Sequence, residues 1–203
     1  FVSRGLGDVY KRQEIINLKN NDKLNVFIEA AKAGAVFAYP TEAVYGLGCN
    51  INNKDSIKKI LKIKKRDVSK GLIIISDNLE KVRELIDDNY FKLFVENNSD
   101  AIPTTWLCPA SNNILDEITG GNKKVGIRIT KHEVSRMLCK FLEFPIISTS
   151  ANISGQKPIT NFSDCISVFG EKVDYIIEGN IGENKKPSRI VDLLSKEILR
   201  EGG

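Results

Sequence analysis

The stretch Gly34 to Cys49, G-A-V-F-A-Y-P-T-E-A-V-Y-G-L-G-C, decides how the chain is read. Ala35 to Tyr39 is a short apolar run of the kind that forms a buried strand. Pro40 fixes φ and donates no hydrogen bond, so the strand is expected to stop there. Thr41 and Glu42 then stand as two polar side chains at a strand end. Gly46 and Gly48 follow, and a backbone without Cβ takes dihedrals and close approaches closed to other residues. A strand that closes on a Pro-Thr turn and leads into a glycine-bearing segment is one way to offer hydroxyls and amides to a small anionic ligand. The same residues also fit a plain strand–loop–helix connection, because glycine loops alone are weak signals.

Outward from this stretch, helical and extended patterns alternate. Leu24, Phe27, Ile28 and Ala31 recur at helical spacing within Asp22–Lys32, with Gly34 placed as a C-terminal cap. Ser56–Lys65 is an amphipathic basic helix carrying Ile57, Ile60, Leu61 and Ile63. Gly71–Ser76 is a second buried strand. Leu79–Ile86 and Tyr90–Glu96 read as helical, Thr104–Pro109 and Val125–Ile129 as strands, and Glu133–Leu142 as a helix. Pro145–Ser150 is a strand running into Ser-Thr-Ser-Ala-Asn. Asp164–Phe169 reads as a helix and Tyr175–Ile177 as a strand. Ile190–Leu194 with Ile198 and Leu199 suggests a terminal hairpin. Interleaved strands and helices with no repeat or linker predict one α/β domain on a mixed, twisted sheet.

Composition narrows the classes. The 203 residues suffice for one domain with a good core. Hydrophobic content of 41% and charged content of 28% describe an ordinary globular chain. No apolar run approaches the roughly eighteen residues of a membrane-spanning helix, and no signal peptide is visible. Cys49, Cys108, Cys139 and Cys165 are scattered without a C-x-x-C pair, and His132 is the only histidine. Neither a zinc site, a redox dithiol nor a histidine-rich metal site is expected, and core thiols of a cytoplasmic protein are the plainer account. Ser3–Gln13, S-R-G-L-G-D-V-Y-K-R-Q, resembles the translation of a transposon-based sequencing adapter. Residues 1–13 are therefore expected to be non-native, with residues 14–203 forming the domain. Arg4, Lys11 and Arg12 against Asp8 account for half of the formal net charge of +4. The remaining +2 is too small to argue for nucleic acid by itself.

Polar residues gather at four strand ends. Thr41 and Glu42 follow the first strand, and Lys64 and Arg66 precede the second. Arg128 lies inside Val125–Ile129, and Ser148, Thr149, Ser150 and Asn152 follow the strand from Pro145. Open α/β sheets bind ligands outside their strand ends, and cations with hydroxyls suit a polyphosphate or carboxylate. Lys64 and Arg66 flank one residue, which on an extended segment puts both on one side. Taken singly, each group has a plainer account: a basic helix end meeting its own dipole, or an N-cap or Asx turn at Ser148–Asn152. Arg128 resists such dismissal, because an unpaired buried guanidinium is costly. No G-x-x-x-x-G-K-[ST] loop occurs, and the lone His132 offers no Ser-His-Asp arrangement.

Six segments in order resemble the YrdC/Sua5 family, in its short bacterial form. They are P-T-E-A-V-Y-G-L-G (Pro40–Gly48), K-x-R (Lys64 and Arg66), K-G-L-I-I-I (Lys70–Ile75), V-G-I-R-I-T (Val125–Thr130), S-T-S-A-N-I-S-G (Ser148–Gly155) and P-S-R-I-V-D (Pro187–Asp192). The resemblance covers nearly all of Leu24 to Gly202. It implies a single YrdC/RibB-like sheet with helices around a concave basic cavity. It also implies a nucleotidyltransferase acting on L-threonine, bicarbonate and ATP with Mg²⁺. N-carboxythreonine attacks the α-phosphate, and threonylcarbamoyl-AMP and pyrophosphate form. Partner proteins then transfer the threonylcarbamoyl group to adenosine 37 of tRNA. Carried over motif by motif, Lys64 and Arg66 bind phosphates and the developing charge. Thr41, Thr105 and Arg128 hold threonine. Ser150, Asn152, Ser188 and Arg200 join Lys64 and Arg66 around the nucleotide. The nucleophile is a carbamate, so the protein need not supply a covalent one; its task is orientation and charge stabilisation. Where the family has W-P-G-P, this chain has Asp100-Ala101-Ile102-Pro103, with Trp106 displaced along the chain. That departure touches the Thr105 assignment.

Two other functions remain in view. A structured-RNA-binding ribosome-maturation factor without turnover would use the basic concavity for phosphate backbones. Weak RNA binding is also compatible with the enzyme. Carbamoyl transfer of the hydrogenase-maturation kind uses a similar domain with zinc-finger and acylphosphatase modules, which this chain lacks.

Overall fold

The computed structural model describes residues 14–19, 21–98, 102–184 and 186–202. The expected non-native segment 1–13, with Val9 and Tyr10, and the residues Asp100 and Ala101 lie outside these. The strands are β1 (Glu14–Ile16), β2 (Phe37–Pro40), β3 (Tyr45–Gly48), β4 (Ile73–Ser76), β5 (Thr104–Pro109), β6 (Lys124–Ile129), β7 (Ile146–Ser150), β8 (Tyr175–Ile177), β9 (Arg189–Asp192) and β10 (Ile198–Arg200). The α-helices are α1 (Leu24–Lys32), α2 (Lys54–Lys64), α3 (Asp88–Asn97), α4 (Asp116–Thr119), α5 (Glu133–Leu142) and α6 (Phe162–Phe169). Among the described residues the strands form one sheet in the order β1-β8-β2-β3-β7-β4-β6-β5-β9-β10. Parallel pairs (β1/β8, β8/β2, β4/β6, β5/β9) stand among antiparallel ones, so the sheet is mixed as expected.

Each face of the sheet carries its own core. Strand alternation sends Ala38, Leu47, Ile74, Ile127 and Ile147 to one side, where they meet Ile57, Ile60 and Leu61 of α2, Phe94 of α3 and Phe169 of α6. Phe37, Tyr39, Ile75 and Ile146 face the other side, against Phe27 of α1 and Leu138 and Leu142 of α5. Burying one such side chain is worth roughly 1.5–3 kcal/mol, so the two layers hold the sheet against its own entropy cost.

Two expectations change, and two hold with added detail. Gly46 and Gly48 lie in a strand rather than a glycine loop: β2 and β3 pair antiparallel, Phe37 opposite Gly48 and Tyr39 opposite Gly46. Their role is steric. A Cβ on Gly48 would lie 2.8 Å from the Phe37 ring, 2.9 Å from the Tyr39 ring and 2.9 Å from the Ile147 carbonyl. Pro40 ends β2 as expected, as its last residue, paired with Tyr45. It is tolerated because β8 pairs with β2 only at Phe37 and Ala38, leaving no ladder bond for Pro40 to miss on that side. Glu80–Leu85, within the stretch expected to be helical, is a 3-10 helix. Finally, Lys64 and Arg66 do not share an extended segment. Lys64 is the last residue of α2, and Lys65 caps it in the left-handed region at φ 48°. The two side chains therefore leave in different directions.

Candidate functional site

A cavity of about 160 Å³ opens where β3, β7, β4 and β6 present their ends. Thr41, Glu42 and Val44 of the β2–β3 turn form one wall, with Ser148, Thr149 and Ser150 of β7 beside them. Arg66, Arg128, Ser188 and Arg200 complete it. A wider hollow of about 550 Å³ adjoins it and shares Arg66, Leu72, Ile73 and Arg200. Its floor includes Leu107, Ile118 and Gly126, and Lys70, Lys123 and Lys124 belong to its lining.

The turn that starts the site is tied to itself. Thr41 N–H and Thr41 Oγ1 both donate to the Val44 carbonyl, at 3.0 and 2.7 Å. The Thr41 hydroxyl proton is thus spent, and its lone pairs remain for a donating ligand group. Ser135 donates to the Pro40 carbonyl at 2.8 Å and anchors the turn to α5.

Glu42 and Arg128 form a buried pair in the wall, with Oε2 and Nη2 3.2 Å apart and both side chains 9% exposed. The Thr130 hydroxyl donates to Glu42 Oε1 at 2.8 Å. Burial alone would raise the Glu42 carboxyl, but Arg128, its own backbone amide and Thr130 outweigh it and hold it below its ordinary value. The partner that the sequence demanded for Arg128 is therefore the residue after Thr41. Neither Glu42 nor Thr130 was assigned a role from the sequence. The signal was present: Thr130 stands two residues beyond Arg128, on the same side of the chain.

Lys64 is 2% exposed. Its ammonium donates to the carbonyls of Ser150 and Asn152, the latter at 2.9 Å, and to Asn152 Oδ1 at 3.0 Å. Three protons meet three acceptors, all from one turn. Burial first, and Arg66 second, lowers its pKa to about 8. Asn152 is equally committed: Oδ1 also accepts from Ser150 Oγ at 2.6 Å, and Nδ2 donates to Gln156 at 2.7 Å. Of this group only Ser150 lines the cavity.

Arg66 and Arg200 differ in standing. Arg66 folds back on its own loop, donating to the Gly71 carbonyl at 3.0 Å through Nη2. Arg200, on β10, donates through Nε and Nη2 to the Ser188 carbonyl, at 3.1 and 2.6 Å. Burial, then Arg128, then Arg66 lower its pKa, a sign that the three guanidinium groups share one region. Thr105 and Ser188 exchange a buried hydrogen bond at 2.8 Å, and Thr105 lines the wider hollow rather than the smaller cavity. Every sequence-predicted site residue thus falls in or against one of two joined hollows, with Lys64 and Asn152 behind the wall.

No group of three or more His, Cys, Asp or Glu side chains stands together among the described residues. The carboxylate of the cavity, Glu42, is taken by Arg128 and Thr130. These residues do not build a Mg²⁺ site; such an ion would have to arrive on the phosphates of its ligand.

Residues 29–202 match the Sua5/YciO/YrdC family, described as telomere recombination. A relative from Coxiella burnetii named threonylcarbamoyl-AMP synthase is 39% identical over 178 residues, covering 87% of this chain and 96% of its own. One from Photorhabdus laumondii with the same name is 38% identical over 181 residues, covering 86% and 94%. Among solved structures, P. abyssi Sua5 complexed with L-threonine superposes with a TM-score of 0.81 at 30% identity, covering 93% of this chain and 57% of that one. E. coli YciO shares the fold, with a TM-score of 0.76 at 22% identity over 94% and 95% of the two chains. No helix among the described residues is long and apolar enough to cross a membrane.

Proposed function

The chain belongs to the Sua5/YciO/YrdC family, and from that premise we propose that it acts as a threonylcarbamoyl-AMP synthase. L-threonine and ATP are its substrates, with bicarbonate as the third and Mg²⁺ entering as the ATP complex. The carboxylate of N-carboxythreonine attacks the α-phosphate in line, pyrophosphate leaves, and threonylcarbamoyl-AMP remains for the partner proteins that modify tRNA. A cytoplasmic site of action, where ATP and tRNA meet, completes the reading.

The observation that carries this proposal is the set of three guanidinium groups, Arg66, Arg128 and Arg200, around one small cavity beside a wider apolar-floored hollow. Guanidinium groups keep their charge at any working pH and grip phosphate and carboxylate oxygens in pairs. Arg66 and Arg200 stand where the two hollows meet, and take the phosphates there. The nucleoside extends into the wider hollow past Thr105, whose partner Ser188 stands in the wall of the smaller cavity. Threonine occupies the smaller one. Its carboxylate faces Arg128, and its hydroxyl or amine donates to the Thr41 lone pairs; Thr105 supports the site through Ser188. Lys64 acts from behind. By locking Ser150 and Asn152 it presents the Ser150 end of β7, and its charge adds to the field felt by the phosphates. No protein nucleophile is required, so positioning and charge stabilisation carry the rate. The structured-RNA-binding factor without turnover is set aside, because relatives matching more than four-fifths of this chain are named as synthases.

The test is pyrophosphate release by the purified chain with ATP, Mg²⁺, threonine and bicarbonate. Release that requires both threonine and bicarbonate is expected. Release indifferent to threonine would refute the proposal.

A further inference from the structure

Three polar atoms around the small cavity are shut from solvent and have no hydrogen-bond partner: Tyr39 Oη, Glu42 Oε2 and Arg128 Nε. Glu42 and Arg128 line the cavity, and Oε2 meets Arg128 only through the 3.2 Å ion pair to Nη2. Tyr39 is fully buried behind Gly46, which also lines the cavity; a Cβ there would sit 3.4 Å from Tyr39 Cζ. The Tyr39 hydroxyl lies next to the side chain of Ser148, a further wall residue, in a contact that falls short of hydrogen-bond geometry. Buried polar groups are almost always paired, and leaving one unpaired destabilises the fold. Three such atoms at one wall are the mark of a ligand that completes them.

Their capacities describe that ligand. Arg128 Nε and Tyr39 Oη each offer a proton, and Glu42 Oε2 offers lone pairs. The complement is a small group with two accepting oxygens and one donating hydroxyl. Threonine's carboxylate and ammonium can meet the same three atoms, but an ammonium held by Glu42 is not the free amine that must attack, so the amino acid lies beside this subsite rather than in it. We propose that Tyr39, Glu42 and Arg128 form the subsite for bicarbonate, its two acceptor oxygens on Arg128 Nε and Tyr39 Oη and its hydroxyl donating to Glu42, while Arg128 Nη1 is left for the threonine carboxylate. This rests on the adenylate-forming reading above and names the place of its third substrate. Held there, the bicarbonate carbon faces the free amine of threonine in the same cavity. The N–C bond forms as the C–OH bond breaks, and the hydroxyl leaves as water with one amine proton, so the carbamate keeps the single negative charge of the bicarbonate.

Tyr39→Phe removes only the unpartnered hydroxyl and keeps the ring that packs the core; Glu42→Gln removes the charge in the same outline. In steady-state pyrophosphate assays, each is expected to raise the KM for bicarbonate about tenfold or more, with the KM values for threonine and ATP within about twofold of wild type. Tyr39→Phe is also expected to melt no lower than wild type, since the hydroxyl it loses costs stability in the free protein. A threonine KM rising in step with that for bicarbonate would overturn the proposal, because the atoms would then grip the amino acid. An unmoved bicarbonate KM in Tyr39→Phe would also overturn it, leaving trapped water as the partner. Should wild type lack threonine-dependent turnover, the parent reading fails instead. The subsite is then judged by line broadening of ¹³C-bicarbonate: broadening in wild type that Tyr39→Phe abolishes supports it, and no broadening in wild type overturns it.

Discussion

The two flanks of the cavity use the same charge for different ends. On one flank Lys64, at the end of α2, buries its ammonium against three acceptors of the Ser150–Asn152 turn. On the other, Arg66 sits on a loop and Arg200 on the short edge strand β10, each holding carbonyls with part of its guanidinium while lining both hollows. A lysine has three protons, and here all are consumed; an arginine has five, and some remain for a ligand. Acceptor count and burial, rather than charge alone, therefore separate a cation that shapes a site from one that binds in it.

The largest effect is expected from Arg66→Ala. If this flank meets the phosphates, pyrophosphate release falls about 100- to 1,000-fold, about 3–4 kcal/mol of transition-state stabilisation, with little change in melting temperature. A near-wild-type rate would break the comparison from the ligand side. The next effect is expected from Lys64→Met and is read in stability. Leaving three buried acceptors without their donor costs about 2–4 kcal/mol by denaturant unfolding. A variant as stable as wild type would show that the ammonium was not pinning the turn.

The same lysine gives a smaller, pH-dependent signature. Its native pKa is lowered from 10.5 to about 8. Between those values the unfolded chain holds a proton that native Lys64 has released, so this group makes stability rise with pH across the window. Lys64→Met should remove that rise; an identical slope in the variant would place the titration elsewhere.

Much of the fold was legible because its strands are short apolar runs bounded by Gly, Pro and polar residues, as at Gly71–Ser76 and Thr104–Pro109. The strand Tyr45–Gly48 was not. Its alternation is hidden by two glycines that exist to admit the Phe37 and Tyr39 rings, a contact between strands that no local pattern records. Strand β1 escaped for a similar reason, since only its pairing with distant β8 defines it. In the site, Arg128 announced itself because a guanidinium in an apolar strand demands a partner. The different orientations of Lys64 and Arg66 were hidden in one residue: Lys65 adopts a positive φ with no glycine to advertise it.

The account stands or falls on the two hollows being one working site, occupied by nucleotide and amino acid together. Thermal melting of wild type with a non-hydrolysable ATP analogue and Mg²⁺, with and without L-threonine, tests this most directly. Threonine is expected to raise the nucleotide-bound melting temperature further and to tighten nucleotide binding by the same factor by which nucleotide tightens threonine. A nucleotide shift that threonine leaves unchanged, or no nucleotide shift at all, would contradict it.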